Sequence, residues 1–152
     1  MDSQPESLDL LSEIPKRFQG TFILIDKDTT TYVVTSSSVQ ENSSNNKSVV
    51  SHIDSTMIIK GQGNTLYINK KASNGFECTR ISLVSSFNYE KIEASSINIM
   101  NAQDELQNIE YEKINYDADS NEEGAIFLIK KINYNQLQKL FRGNSEELIR
   151  IK

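Results

Sequence analysis

Short runs rich in β-branched and aromatic residues recur along the chain, and clusters of turn-forming residues separate them. This pattern is typical of strands joined by tight turns, so Thr21 to Lys27 and Thr31 to Val39 predict a hairpin around Asp28-Thr29-Thr30. Further strands are predicted over residues 48–53, 56–60, 65–70, 76–85, 91–100, 109–116, 125–133 and 147–151. Residues 40–47 carry no side chain suited to a core and predict a mobile loop.

Two segments have the spacing of a helix instead. Near the beginning of the chain, four apolar residues could line one side of a short helical turn: Leu8, Leu10, Leu11 and Ile14. Pro15 suits the start of a second helical turn, and Gly20 suits its end. Near the end, Leu137, Leu140 and Phe141 recur at i, i+3 and i+4. We therefore predict a short N-terminal helix and a short C-terminal helix over residues 135–142, packed outside the sheet. A further strand is the alternative for residues 135–142.

About ten short strands with turns every 8 to 12 residues favour an antiparallel barrel or sandwich over alternating βα units. The simplest topology is a meander barrel. Residues 10–152 fit one domain, because folded units cluster at roughly 100 to 150 residues. Residues 1–9 are polar and are predicted to be a lead-in or tether outside that domain.

The composition and charge of the chain limit the kinds of molecule that it is expected to bind. The net charge of -5 and the pI near 4.9 oppose nucleic-acid binding, which depends on clustered Lys and Arg. No run of about 18 apolar residues occurs, so no transmembrane helix is predicted. Cys78 is the only cysteine and His52 the only histidine, which excludes an intrachain disulfide and the usual structural zinc sites. No cofactor or metal is predicted.

Three sequence motifs could indicate a metal-binding, phosphate-binding or catalytic site, and each departs from the pattern that such a site requires. Asp117-Ala-Asp119-Ser-Asn121 begins like a calcium-binding loop, but Glu122 stands where that loop needs Gly. Gly61-Gln-Gly63 lacks the third Gly and the helix of a phosphate-binding loop, so a hairpin turn explains it better. Cys78 and His52 are the only residues available for a nucleophilic pair, yet Cys78 lies within an ordinary strand pattern. These failures favour a protein that is not an enzyme.

Arg80 is the most informative candidate for binding. It shares one face of a predicted strand with Phe76, Cys78 and Ser82, and an inward-facing cation needs an acidic partner or an anionic ligand. The opposite face carries Glu77, Thr79, Ile81 and Leu83, so alternation does not decide which face points inward. With Arg80, the tyrosines Tyr32, Tyr67 and Tyr89 are the predicted polar contacts for a small apolar or anionic ligand.

The segment Ile14-Pro-Lys-Arg-Phe-Gln-Gly20-Thr-Phe22 resembles the opening of lipocalin-like barrels, where a short helix runs into Gly-X-Trp at the first strand. Phe22 stands in place of the Trp, and Arg142 is the nearest counterpart of the closing Arg of that family. The resemblance implies a calyx for a small ligand, with Gly20 and Phe22 as a structural pair. Small bacterial lipoproteins of unassigned function look similar in this stretch, which implies an exported protein, a lipid anchor in the precursor and a periplasmic or cell-surface location.

Two functions follow from these observations. The first is a non-catalytic barrel that binds one small ligand, as barrels of about eight strands do. The alternative is a structural or protein-interaction module of the cell envelope that works through its surface or an edge strand and has no pocket.

Overall fold

Antiparallel strands make up most of the protein, seen in a computed structural model that describes residues 5, 7–24, 30–45, 47–72, 75–85, 90–97, 107, 109–117, 123–141 and 145–151. The strands are β1 (Leu10–Leu11), β2 (Gly20–Leu24), β3 (Thr30–Val34), β4 (Ser38–Asn42), β5 (Ser48–His52), β6 (Met57–Gln62), β7 (Thr65–Ala72), β8 (Gly75–Ser85), β9 (Glu90–Ser96), β10 (Glu110–Asp117), β11 (Glu123–Lys131) and β12 (Ser145–Arg150). A 3₁₀ turn (Lys16–Phe18) and one helix, α1 (Tyr134–Leu140), complete the described elements. The prediction of a mainly β, antiparallel protein is confirmed.

Ten of the strands form one curled sheet in the order β1-β6-β7-β8-β9-β12-β2-β3-β4-β5. The sheet consists of two meanders, β2 to β5 and β6 to β9. The last strand, β12, joins them by pairing with β9 on one side and β2 on the other. The predicted meander therefore holds within each half of the sheet, and the connection between the halves is made by the end of the chain.

The prediction of a closed barrel is wrong, because the sheet is a half-barrel with two edges among the described strands, β1 and β5. β1 is only two residues long and covers only Ile59 and Lys60 of β6, so it does not bridge the gap to β5. Strands β10 and β11 were also expected in the barrel. They form a separate two-stranded sheet instead, in which they pair with each other, as neighbouring strands of a meander do.

The two faces of the large sheet bury different side chains. On one face, side chains from β3 and β4 pack against side chains from β6 and β7, which are remote in the sheet order, so this face is the inside of the curl. Its buried residues are Ile14, Phe18, Phe22, Met57, Ile59, Leu66, Ile92 and Leu148. The convex face is covered by α1 and by Ile109 and Ile129, which flank or belong to the small sheet and pack with Tyr67 and Cys78.

The predicted N-terminal helix is wrong, because Leu10 and Leu11 form a strand and Pro15 precedes only a single 3₁₀ turn. Pairing of the Leu10–Leu11 backbone with β6, some 50 residues away, prevails over the local apolar spacing. Within the predicted lead-in, Pro5 is buried and its carbonyl accepts a 2.9 Å hydrogen bond from the Lys60 ammonium. This part of the lead-in therefore contacts the convex side of β6. A tether role for residues 1–9 stays a prediction.

The predicted C-terminal helix is confirmed as α1. Asn133 caps it: the Asn133 side chain accepts from the Gln136 N–H at 2.9 Å, and the Gln136 side chain accepts from the Asn133 N–H at 3.0 Å. Leu137 and Leu140 are fully buried. The helix packs outside the sheet, on its convex face, as expected.

Candidate functional site

A cavity of about 390 Å³ lies on the concave face of the half-barrel. Ten of its lining residues are apolar and come from six strands and the segment before β2. The polar lining residues are Tyr32, Glu41, Lys70, Thr79, Ser96 and Glu146. Ligand pockets commonly span roughly 300 to 1,000 Å³ and combine a mostly apolar wall with a few polar groups. This cavity has both properties.

One end of the cavity is closed by Ile14 and Phe18, which we call the closed end. Both side chains are 1% exposed. The Ile14 N–H donates to the Ser36 carbonyl at 2.7 Å, and the 3₁₀ turn is held by a 2.8 Å bond from the Phe18 N–H to the Pro15 carbonyl. The Gln19 amide donates to the Ile14 carbonyl at 2.7 Å. These bonds fix the segment across the bottom of the half-barrel.

The chain leaves the closed end through Gly20, which begins β2 with φ of +143°. Residues with a Cβ rarely adopt this conformation, so a glycine is required where the 3₁₀ turn passes into the sheet. Phe22 follows two residues later and is 1% exposed. A structural role for Gly20 and Phe22 as a pair stays a prediction. Arg142 lies outside the described residues, and the arginine that stacks on Phe22 is Arg150 of β12.

Strand register places Lys70, Thr79 and Ser96 at the opposite end of the cavity. In β7, Leu66 follows the turn at Gly63, whose carbonyl accepts a hydrogen bond from Arg17 beside the closed end. Lys70 lies four residues further along β7. Thr79 pairs with Ile68, and Ser96 pairs with Thr79, so both lie beyond the level of Leu66.

The acidic residues Glu146 and Glu41 lie at that same end. Glu146 pairs with Ala94 of β9, on the side of Leu148 that faces away from the closed end. Glu41 pairs with Tyr32, whereas the next inward residue of β3, Val34, pairs with Gly20 beside the closed end. We call the set of Glu41, Lys70, Thr79, Ser96 and Glu146 the polar end. Lys70, Ser96 and Glu146 are exposed there, so polar groups and solvent meet the cavity at this end.

The predicted ligand contacts fall on both sides of the sheet. Tyr32 lines the cavity. Tyr89 lies outside the described residues. Tyr67 of β7 and its register partner Arg80 of β8 are both on the convex face. The inward face of β8 therefore carries Thr79 and Ile81, which line the cavity. A ligand role for Tyr67 and Arg80 stays a prediction, and such a ligand would not be one held in this cavity.

On the convex face, Tyr67 and Arg80 hold α1 against the sheet. Arg80 Nη1 donates to Gln138 Oε1 at 3.0 Å, and Gln138 Nε2 donates to the Tyr67 hydroxyl at 2.8 Å. The Tyr67 hydroxyl donates in turn to the Tyr134 hydroxyl at 3.3 Å. The Arg80 guanidinium lies 5.0 Å from the centroid of the Phe141 ring. Burial, and then the bond to Tyr134, raise the pKa of the Tyr67 hydroxyl well above its ordinary value.

The candidate Cys78–His52 pair lacks an activated nucleophile. Cys78 is buried on the convex face, and burial raises the pKa of its thiol to about 12. A nucleophilic cysteine needs a lowered pKa, since the thiolate is the reactive form. His52 is exposed on the edge strand β5, where Ser38 of β4 is its cross-strand neighbour. The carboxylate two residues away, Asp54, accepts bonds from Thr56 that lower its pKa and fix the turn before β6.

Neither a group of metal-binding side chains nor a membrane-spanning helix is found in the described part of the chain. There, no three His, Cys, Asp or Glu side chains are grouped as a metal site requires. Residues 118–122 of the calcium-like sequence lie outside the described residues. Nor does any helix in the described ranges have the length and hydropathy needed to cross a bilayer.

Sequence reasoning missed most of the cavity. Glu41 fell in the predicted loop 40–47, and Lys70, Thr79, Ser96 and Glu146 are polar residues in or beside predicted strands that were not proposed as ligand contacts. A usable signal was present in β7, where Leu66, Ile68 and Lys70 share one face. A strand that lines a pocket with one polar end is expected to show this pattern, in which an apolar face ends in a charged residue.

Comparisons of the chain with protein-family models, with curated proteins and with solved structures find no match. The geometry of the cavity therefore carries the functional argument.

Proposed function

We propose that the protein is a non-catalytic binding module that holds one small amphiphilic ligand in the concave cavity of its half-barrel. The single observation that carries the proposal is the division of a cavity of about 390 Å³ into an apolar closed end and a polar end. Burying apolar surface supplies most of the binding free energy, and the few polar groups orient the ligand. The apolar part of the ligand lies against Phe18 and Leu66, and its polar part lies at the polar end.

The lipocalin-like interpretation agrees with this proposal in one respect. The resemblance at residues 14–22 implies a calyx, and that segment does supply the closed end of the cavity through Ile14 and Phe18. The open edge between β1 and β5 departs from a closed calyx. Export and lipid anchoring rest on the resemblance alone and stay predictions.

The test is a titration with N-phenyl-1-naphthylamine, a neutral apolar dye whose fluorescence rises in a dry site. We expect saturable binding to the full chain. Ala94→Phe adds a ring to the cavity wall and should abolish the rise, because Ala94 lines the cavity. Ser82→Phe is the matched control, since Ser82 shares the convex face of β8 with Arg80, and it should bind the dye like the unaltered chain.

Thermal unfolding of both variants separates loss of the cavity from loss of the fold. An unaltered chain that gives no saturable signal contradicts the proposal. So does a folded Ala94→Phe variant that binds the dye as well as the unaltered chain does.

A second candidate function, a protein-interaction module, is favoured by the edge strand β5. Among the described strands, β5 pairs on one side only, with β4. Val49 is 58% exposed and Val50 is 47% exposed, and the strand contains none of the Lys, Pro or bulge features that commonly protect an edge. The occupant we propose is β5 of a second copy.

A second copy fits because β5 is self-complementary. Antiparallel pairing about a two-fold axis at Val50 sets Val50 against Val50, Val49 against Ser51 and Ser48 against His52, so no acidic or lysine side chains of like charge meet. Light scattering at increasing protein concentration should show a dimer, and Val50→Lys should make it monomeric. Ile151→Lys is the control, since Ile151 is 53% exposed and lies outside β5. A monomer at all concentrations contradicts this candidate, as does a Val50→Lys dimer.

A further inference from the structure

We propose that the ligand of the cavity is an amphiphile with a positively charged amine head group, bound with its apolar chain toward the closed end and its head at the polar end. This inference rests on the proposed ligand-binding function. The sequence predicted a small apolar or anionic ligand, and the inference departs from the anionic alternative, which depended on Arg80 on the convex face.

The polar end carries unbalanced negative charge. Its lining includes the carboxylates of Glu41 and Glu146 and one cation, Lys70. In the described structure, neither carboxylate lies within 4 Å of the Lys70 ammonium. Lys70 has an acidic neighbour of its own, because its register partner on β8 is Glu77. With Glu77, the carboxylates on this face therefore outnumber the one cation, Lys70, and the negative charge of Glu41 and Glu146 can act on a ligand.

The surroundings of Glu41 suit an ammonium group in particular. Tyr32 lies directly across from Glu41 on β3, and both line the cavity. The other cross-strand neighbour of Glu41 is Val49 of β5, which is uncharged. A carboxylate beside an aromatic ring attracts a cation in two ways, by direct charge attraction and by the negative face of the ring.

Glu146 supplies the same sign of charge from another wall of the cavity. It pairs with Ala94, and the lysine of the neighbouring strand, Lys91, lies on the convex face, where it contacts Glu93 and Glu147. The lysine therefore does not neutralise Glu146. The net charge of the chain, -5, acts in the same direction, because it draws cations toward the protein and repels anions.

The experiment measures displacement of bound N-phenyl-1-naphthylamine by three ligands with the same ten-carbon chain: decylamine, decanol and decanoate, all kept below micelle formation at pH 7.5. We expect decylamine to displace the dye at concentrations about fivefold lower than decanol, and decanoate to be the weakest. Raising the salt to 0.5 M should reduce the advantage of the amine, since exposed charges are screened.

The variants Glu41→Gln and Glu146→Gln should each reduce the preference for decylamine over decanol, and the double variant should remove it. Glu13→Gln is the matched control, because Glu13 is exposed on the segment that crosses the closed end and does not line the cavity. Decanol binding should be unchanged in all of them, which shows that the apolar part of the site is intact.

The outcomes separate the two proposals. If the dye does not bind, the proposed ligand-binding function fails. If the dye binds but decanol or decanoate displaces it as well as decylamine does, the amine inference fails and the binding function stands. An undiminished preference for decylamine in the double variant also overturns the inference.

Discussion

The guanidinium of Arg150 lies 5.0 Å from the centroid of the Phe22 ring, and it donates hydrogen bonds to the carbonyls of Gln19, at 2.7 Å, and Arg17. Arg150 belongs to β12, the strand that joins the two meanders, and Arg17 and Gln19 belong to the segment that forms the closed end of the cavity. The Arg150 side chain thus connects β12, the strand that joins the two meanders, to the segment that forms the closed end of the cavity.

Arg150→Met should lower the free energy of unfolding by about 2 kcal/mol, because it removes two charge-assisted hydrogen bonds and a cation–ring contact while keeping an apolar side chain of similar length. Urea unfolding measures the loss. The matched control is Arg17→Met. Arg17 also lies over a ring, that of Phe18 at 5.4 Å, and donates a hydrogen bond to the Gly63 carbonyl, but it is exposed, so we expect a loss of less than about 1 kcal/mol. Equal losses in the two variants would show that Arg150 has no special role.

The sequence predicted strands well and their boundaries less well, and the segment from residue 31 to residue 47 shows why. It was predicted as one strand and a mobile loop but forms β3, a turn and β4. The turn contains no Gly, Pro or Asn. It is made by Thr35, whose hydroxyl accepts from the N–H groups of Ser37 and Ser38 at 3.3 and 3.1 Å. Three consecutive serines, residues 36–38, are a turn signal, but the residues on either side of them, Thr35 and Val39, favour strands and make the segment look continuous.

The direction in which Arg80 points could not be predicted for a different reason. Alternation identifies the buried face only when the other face meets solvent. β8 has the cavity on one side and α1 on the other, so both faces carry apolar and polar residues. The gap between β1 and β5 could not be predicted either. Local patterns indicate where strands form, but they do not indicate which distant strands pair.

Asn133→Ala should destabilise the protein by about 1 kcal/mol, because it removes the side-chain acceptor for the Gln136 N–H and the reciprocal capping box. Asn133→Asp keeps an acceptor at the same place and should cost much less. Urea unfolding of the two variants gives the comparison. A similar loss in both would indicate that packing of Leu137 and Leu140, not the cap, sets the stability of α1.

Gly61 lies in β6 and Gly63 lies in the turn that follows it, and their substitutions should act by different mechanisms. Gly63 has φ of +58° and open space around it, so Gly63→Asn should be nearly neutral and Gly63→Ala should cost about 1 kcal/mol. A Cβ at Gly61 would lie 2.6 Å from Leu66 Cδ2 and 3.2 Å from the Thr65 carbonyl oxygen, so Gly61→Ala should cost about 1 to 3 kcal/mol through overpacking. Thermal unfolding would contradict this if Gly61→Ala were the milder change.

The buried thiol of Cys78 should make the stability of the protein fall at alkaline pH. Burial raises its pKa to about 12 in the folded chain, and the ordinary value for an unfolded chain is about 8.5. Between these values the unfolded chain has lost the proton and the folded chain has kept it. Stability from this group is therefore complete below about pH 8.5 and is lost as the pH rises toward 12, by about 1.4 kcal/mol per pH unit.

Cys78→Ala isolates this effect, because lysines and tyrosines titrate alike in both chains. The variant will be less stable at pH 8, since it leaves a small cavity next to Tyr67. From pH 8 to pH 10, however, the unaltered chain should lose about 2 kcal/mol more than the variant does. Urea unfolding at several pH values measures the difference. If the two stability curves stay parallel, the folded thiol titrates near its ordinary pKa and Cys78 is more accessible to water than its 5% exposure implies.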